Sequence, residues 1–284
     1  MNLRTVRKKT KSVKNVRKIT KAMQLISAAK MKKVVQSEVE GRLYRDSLTS
    51  LISSLSGRLD ISVSPLLSVP KSADAKDLIL FISANKGLCG AFHVNLLKYL
   101  IKNVDFKTSE FITVGSKGAQ ALTRFDRDIV ADYSIGGPET KVTAIFTYAV
   151  DAFLSGKYRS VKLLYTQYIS ALRSEVKIIT LLPISPDQAK DTKGSNTQEY
   201  IVEPSPQVLV DALLRSAIEE QIRGAVISSE AVEQSMRMMA MKNATDNAGD
   251  VIYSLTLIGN KIRQTKITSE LLDMVTAKES VENN

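Results

Sequence analysis

The chain has 284 residues, with 40 basic and 29 acidic side chains and an apolar fraction of 44%. That describes a folded protein with room for one large or two small domains, and excludes a disordered chain. Its single cysteine, Cys89, excludes an internal disulfide. With only one histidine, His93, there are too few soft ligands for a zinc site and one imidazole for any Ser-His-Asp or Cys-His arrangement.

Twelve of the basic residues lie between Met1 and Lys33, and no acid precedes Glu38. The remaining 28 basic residues (40 less 12) face 29 acids, so the basic character belongs to this one segment. Leu3, Val6, Val13, Val16, Ile19, Met23 and Ile26 recur at steps of three, four or seven, which predicts an amphipathic helix. No proline precedes Pro65, and Gly41 is the one glycine before Gly57. A helix over residues 1–56 would be about 80 Å long, more than a globular core needs, and reads as a coiled coil or helical shaft. Ser27, Ala28 and Ala29 would allow close approach of a second backbone. The charge run has two other readings, a solvated helix face or a nucleic-acid-binding surface. No apolar stretch follows the basic start, unlike a secretory signal, and no uncharged apolar run reaches about 18 residues, the length of a membrane span.

All seven prolines fall between Pro65 and Pro206. Residues 57–76, with Gly57, Pro65 and Pro70, read as a linker. Residues 77–200 then alternate short apolar runs with helical patterns. Strands are predicted at Asp77–Ser83, Glu110–Val114, Ile129–Ala131, Ser160–Thr166 and Lys177–Leu182. Helices are predicted at Val94–Ile101, Gly118–Phe125 and Lys141–Leu154. This alternation implies an α/β domain with a mostly parallel sheet covered by helices. Residues 187–198 are polar and loop-like.

From Pro206 to about Ala277 the pattern is helical again. Ile218, Ile222, Ala225, Ser229, Val232, Met236 and Met239 alternate steps of four and three, a heptad seam that meets Asn243 and Asp246 and turns polar there. It resumes through Ile252, Leu255, Ile258, Ile262 and Thr265, then Leu272 and Val275. Two long terminal helices, each with a stripe it cannot bury alone, can pack antiparallel. Arg237, Asn243, Thr245, Asp246 and Asn247 interrupt the apolar helix, which points to a polar partner along that stretch.

Gly87-Leu-Cys-Gly90 follows the first predicted strand, where a doubly wound domain places phosphate. The spacing is neither GxGxxG nor GxxxxGK[ST]. This turn and Gly115-Ser-Lys-Gly118 read more simply as tight strand-to-helix connections. A nucleotide-dependent enzyme on the middle domain is the third functional reading, and it lacks its fingerprint.

Four blocks, ITKAMQLISAAKMKKV (19–34), NKGLCGAFHVNL (85–96), RMMAMKNATDNA (237–248) and NKIRQTKITSEL (260–271), together with LLPISP (181–186), resemble the gamma subunit of F-type ATP synthase. They occur in that family's order and span essentially the whole chain. The resemblance implies a rotor: an antiparallel coiled coil of N- and C-terminal helices (1–56 and 206–278) inside a ring of alpha and beta subunits. A Rossmann-like foot at residues 77–200 would stand on the epsilon subunit and the membrane ring of c subunits, with one copy per complex. It implies no catalytic residue, cofactor, metal or nucleic-acid partner, no membrane span, and a peripheral place on the cytoplasmic face of a bacterial inner membrane, with an organelle as the alternative.

Matched by motif, Met23, Lys30 and Arg237 would lie near beta-subunit loops. Arg263, Gln264 and Thr268 would meet a loop higher in the ring, and Leu271, Leu272, Met274 and Val275 would run in an apolar bearing. Departures from the family pattern are Gly259, where an aromatic is usual, Asn243 in place of Ala, the polar tail KESVENN, and the absence of a paired-cysteine insert after Pro186.

Overall fold

The run Leu78-Ile-Leu-Phe-Ile82 has no polar face, so as a strand it needs apolar cover on both sides. In the computed structural model, which describes residues 2–56, 64–68, 76–134, 141–184 and 206–282, it receives that cover. The described residues form two compact units, Ala28–Met236 and the pair of segments Met1–Ser27 and Arg237–Asn284. Most of the expected linker 57–76 and the polar loop 187–198 lie outside the described residues.

The unit Ala28–Met236 is built on a five-stranded sheet of β1 (Lys76–Ile82), β2 (Ser109–Val114), β3 (Ile129–Asp132), β4 (Tyr158–Tyr168) and β5 (Ser174–Leu182), in the order β3-β2-β1-β4-β5. All five strands fall where the sequence predicts them. The pairs β1·β2, β1·β4 and β2·β3 are parallel, and β4·β5 is antiparallel. Only residues 169–173 separate β4 from β5, too few for the crossover a parallel pair needs, so they form a hairpin.

Helices α2 (Phe92–Asn103) and α3 (Ser116–Arg124) cover one face. There Leu96, Leu100 and Leu122 pack on Ile79, Phe81, Phe111 and Leu164. On the other face, Leu78, Leu80, Ile112, Val161 and Leu163 meet α4 (Val142–Leu154) and the first turns of α5 (Pro206–Glu282). Within the expected linker, Pro65–Leu67 forms one 3-10 turn, capped by the Ser64 hydroxyl, and fully buries Leu66 in this second core.

Between Val210 and Ser235, α5 is buried on opposite sides. Ile218, Ile222, Ala225 and Val226 face the sheet core, while Ile227 and Ala231 pack on Val34 of α1 (Leu3–Ser56). The predicted seam Ile218–Met239 is therefore the sheet-facing stripe. The stripe facing α1 is offset from it and runs through Ile227, Ala231 and Gln234.

On α1 the matching positions are Val34, Glu38, Gly41, Arg45 and Leu48, again in strict steps of four and three. Arg45 Nη2 donates to Glu38 Oε1 at 2.8 Å, with side chains only 17% and 9% exposed. A Cβ on Gly224 would lie 2.8 Å from that guanidinium, and one on Gly41 would lie 3.0 Å from it. Two glycines thus provide the slot in which the charged pair lies.

In the unit of Met1–Ser27 and Arg237–Asn284 the helices also run antiparallel, since Thr20 meets Thr245 while Val6 lies opposite Gly259. The seam on α1 is Val6, Thr10, Val13, Thr20, Gln24 and Ser27. On α5 it is Met241, Thr245, Ala248, Ile252, Leu255, Gly259 and Ile262. The Thr20 and Thr245 hydroxyls are 2.8 Å apart, and each also bonds a carbonyl of its own helix. Val16, Ile19 and Ile26, expected on the stripe, are about half exposed or more, because a strict heptad places them off the seam. Of the expected Ser27-Ala-Ala29 contact, only Ser27 is buried. Ile258 is likewise exposed, and so are Asn243 and Asp246, which belong to the sheet-facing stripe continued beyond the sheet unit.

The charged groups at the start of the strands compensate one another. Asp77 accepts from Arg159 Nε and Lys162 Nζ, both at 2.7 Å, and from Ser160 Oγ at 2.8 Å. Glu110 accepts from Tyr158 Oη at 2.6 Å and Lys76 Nζ at 2.9 Å. Burial opposes ionisation of both carboxyls. The hydrogen bonds outweigh it and hold each at about 2, against ordinary values of 3.8 and 4.5.

Two outcomes are expected. Arg45→Met leaves the buried Glu38 with only the half-exposed Arg42, 3.8 Å away, and lowers unfolding stability by about 3 kcal/mol in denaturant titration, whereas Glu38→Met with Arg45→Met recovers most of the loss. Because Asp77 and Glu110 have folded pKa values below their unfolded ones, their stabilisation is complete above about pH 4.5 and is lost as pH falls toward 2. Thermal melts across that window should show the decline, and Asp77→Asn should flatten it.

Candidate partner-binding surface

α1 begins at Leu3, and its first turns lie beside Leu255, Gly259 and Ile262 of α5. The four-three series continued past Ile262 gives Lys266, Ser269, Asp273 and Thr276. The stripe that faced α1 becomes polar where α1 ends. The apolar residues there lie elsewhere on the helix: Leu271, Leu272, Met274 and Val275 are each more than half exposed, and Ile267 is nearly so. Arg263, Gln264 and Thr268 stand exposed one or two turns before them. The Thr268 hydroxyl donates back to the Gln264 carbonyl of its own helix at 3.0 Å. Seven of the sequence-predicted contact residues are therefore gathered on one unpaired helix end.

The other three are dispersed. Met23 is half-buried at the edge of the α1 seam, Lys30 is exposed in the other unit, and Arg237 is 6% exposed. Beside the α5 end, a groove of about 400 Å³ is floored by Leu3, Val6 and Gly259 and rimmed by Arg7, Lys11, Lys14 and Arg263, with no acid among its lining residues. Its field is positive and complements an acidic partner. Sequence reasoning missed Leu25, Val251, Tyr253 and Leu257, exposed apolar residues that enlarge the unpartnered surface of this unit, as do Val16, Ile19 and Ile26. The available signal is their position off the four-three seam.

The glycine turns of the sheet unit have a packing role. A Cβ on Gly115 (φ +104°) would lie 2.4 Å from the Ser83 carbonyl oxygen, and one on Gly118 would meet Ser83 Oγ at the same distance. The first amides of α3 are all engaged internally: Ser116 N–H donates to Asn85 Oδ1, Lys117 N–H to the Ala84 carbonyl and Gly118 N–H to Ser83 Oγ. After β1, Cys89 and Phe92 are buried against Val232 and Met236 of α5. The crevice where a doubly wound domain would hold a phosphate is occupied by the chain's own helix. Among the described residues no helix is long and apolar enough to cross a membrane, and no group of three or more His, Cys, Asp or Glu is placed to hold a metal.

A family model described as ATP synthase matches residues 2–281. The chain is 33% identical to an ATP synthase gamma chain of Akkermansia muciniphila, with 99% of each chain covered. It is 35% identical to one of Polaromonas naphthalenivorans, covering 97% of this chain and 98% of that one. The chain belongs to the ATP synthase gamma-chain family. Membership makes it a subunit of that complex. Solved structures share its fold. A chain of the Euglena gracilis mitochondrial ATP synthase OSCP/F1/c-ring assembly matches at a TM-score of 0.66 and 18% identity, covering 98% of this chain and 94% of that one. A chain from the central stalk and c-ring of the Tetrahymena thermophila enzyme matches at 0.60 and 24% identity, covering 80% and 99%.

Gly259 lies on the seam of a family helix without filling it. A Cβ there would contact Val6 at 3.5 Å, an ordinary van der Waals distance. Gly259→Ala should raise stability by about 1 kcal/mol, read as a higher thermal midpoint of the isolated chain.

Proposed function

We propose that this chain is the central-stalk rotor of an F-type ATP synthase, transmitting torque between a proton-driven c-ring and an alpha/beta ring without carrying catalytic residues of its own. The observation that supports it most directly is the end of α5, where Leu271, Leu272, Met274 and Val275 are exposed once α1 has ended. An unpaired helix with apolar residues on its outer faces needs a surrounding partner, and a bearing formed by the upper alpha and beta subunits is such a partner. Apolar contacts are non-directional, so they hold a shaft without fixing its angle.

Arg263, Gln264 and Thr268 then supply directional contacts to a beta-subunit loop just below the bearing, and Met23, Lys30 and Arg237 meet beta-subunit loops further down. The long basic side chains of α1 keep their charges in water over apolar stems and slide past acidic loops without locking. The helices 1–56 and 206–278 act as shaft. Residues 77–200 act as foot, against epsilon and c subunits, at the cytoplasmic face of a bacterial inner membrane. This assignment rests on the family and on the antiparallel seam.

The test is purification of the tagged chain from its native membranes. Recovery of a hydrolysing complex with alpha and beta subunits is the expected result. Recovery of the chain alone, or with nucleic acid and no ATPase activity, would remove the proposal. In the recovered complex, Arg263→Ala with Gln264→Ala should lower ATP hydrolysis about 10-fold, the scale of one lost interfacial anchor, without loss of subunits.

A further inference from the structure

β4 keeps register with β1 as far as Leu164 and then continues to Tyr168. β5 covers the opposite edge along the whole of that extension. Peptide groups in an antiparallel strand point alternately to its two sides, so the extension leaves a short run of donors and acceptors on the edge that β1 no longer covers. Serines of α5 meet them. Thr166 N–H donates to Ser229 Oγ at 3.1 Å, the Ser229 hydroxyl faces the Thr166 carbonyl at 3.4 Å, and Tyr168 N–H donates to Ser228 Oγ at 2.7 Å. One helical turn and a half later the Ser235 hydroxyl donates to the Ala171 carbonyl in the hairpin.

Ser228 and Ser229 are 4% and 2% exposed and flanked by Val226, Ile227, Ala231 and Val232, so water does not compete for them. Many helical hydroxyls elsewhere in the chain turn back to a carbonyl of their own helix, as Thr10, Ser37 and Ser47 do. Ser228 and Ser229 reach across to a strand instead.

We infer that Ser228 and Ser229 are positioning residues for energy coupling: they lock α5 to the sheet against rolling and sliding, so that load on the α/β domain reaches the helix without slip. This rests on the rotor reading above. The apolar contacts around them, Ile218, Ile222, Ala225 and Val232, give adhesion but little directional resistance. The hydroxyls differ. Adjacent helical residues point about 100° apart, and the strand amides they hold are two residues, about 6.8 Å, apart. A roll of the helix breaks one bond before the other, and a slide breaks both.

The experiment uses the complete complex in inverted membrane vesicles, with Ser228→Ala plus Ser229→Ala, Ile145→Val as a control, and Ser229→Thr as the hydroxyl-retaining variant. Ile145 is a fully buried α4 residue of the same core, far in sequence from the junction. Two quantities are read: hydrogen exchange at the Thr166 and Tyr168 amides, and protons pumped per ATP hydrolysed against a rising opposing gradient. The double variant should exchange about 10- to 100-fold faster at both amides, the loss expected for two buried hydrogen bonds. Its pumping ratio should fall as the gradient grows, while the control and Ser229→Thr hold the wild-type ratio. Faster exchange with an unchanged ratio, an equal fall in Ile145→Val, or unchanged exchange would each overturn the inference. Failure of the wild-type chain to join a hydrolysing complex would instead overturn the rotor reading, and the coupling role with it.

Discussion

The helix α5 is apolar on two opposite sides between Val210 and Ser235, and neither side is stable in water without cover. One side is met by the sheet and α4, the other by α1. Burying both means the sheet must be finished and α1 must be in register before α5 is satisfied. The parallel core of β1, β2 and β4 supplies the first surface, and the four-three series Val34 to Leu48 supplies the second. From Met241 to Ile262, α5 keeps only the stripe that faces α1. Where α1 ends that stripe becomes polar too, and the remaining apolar residues face outward.

That double burial also sets how far the architecture was legible from the residues. Five strands and three short helices were readable because their periodicity and punctuation agree, and β1 was clear because it has no polar face at all. The phase of the long helices was not. Following Ile218, Ile222, Ala225 and Val232 selects the stronger stripe, which belongs to the sheet, and carries it into Asn243 and Asp246, which are exposed. On α1 the predicted stripe shares Val6 and Val13 with the seam, but Val16, Ile19 and Ile26 drew it away from the seam's other members, Thr10, Thr20, Gln24 and Ser27. A seam of small and polar residues is weak in hydropathy and strong in fit, and hydropathy is what sequence periodicity measures. On the α5 end, periodicity read Leu272 and Val275 as seam positions, whereas they are exposed, and the contact roles given to these residues came only from the family resemblance. Their exposure depends on where another helix stops, which no local pattern records.

Apolar stripes make these helices adhere, but they fix register poorly, because Val, Ile and Leu are interchangeable knobs. Polar groups occupy the positions where register is decided. Glu38 and Arg45 lie in a slot left by Gly41 and Gly224. Thr20 and Thr245 pair hydroxyls in the seam of their own unit. Ser228 and Ser229 hold two strand amides that no strand covers.

Each of these contributes little net stability, because the bonds replace bonds to water. Their weight lies in the cost of misalignment. A shift of α5 by one heptad would restore most apolar contacts, yet would bring Ala217 or Ala231 to the place of Gly224, where a Cβ meets the Arg45 guanidinium, and would leave two buried strand amides without their partners, at about 1–3 kcal/mol for each amide. Alternative registers are thereby penalised far more than the native one is stabilised. A component whose outer surface must turn within its surroundings needs that asymmetry, since the same apolar character that lets partners slide over it would otherwise let its own helices slide over each other.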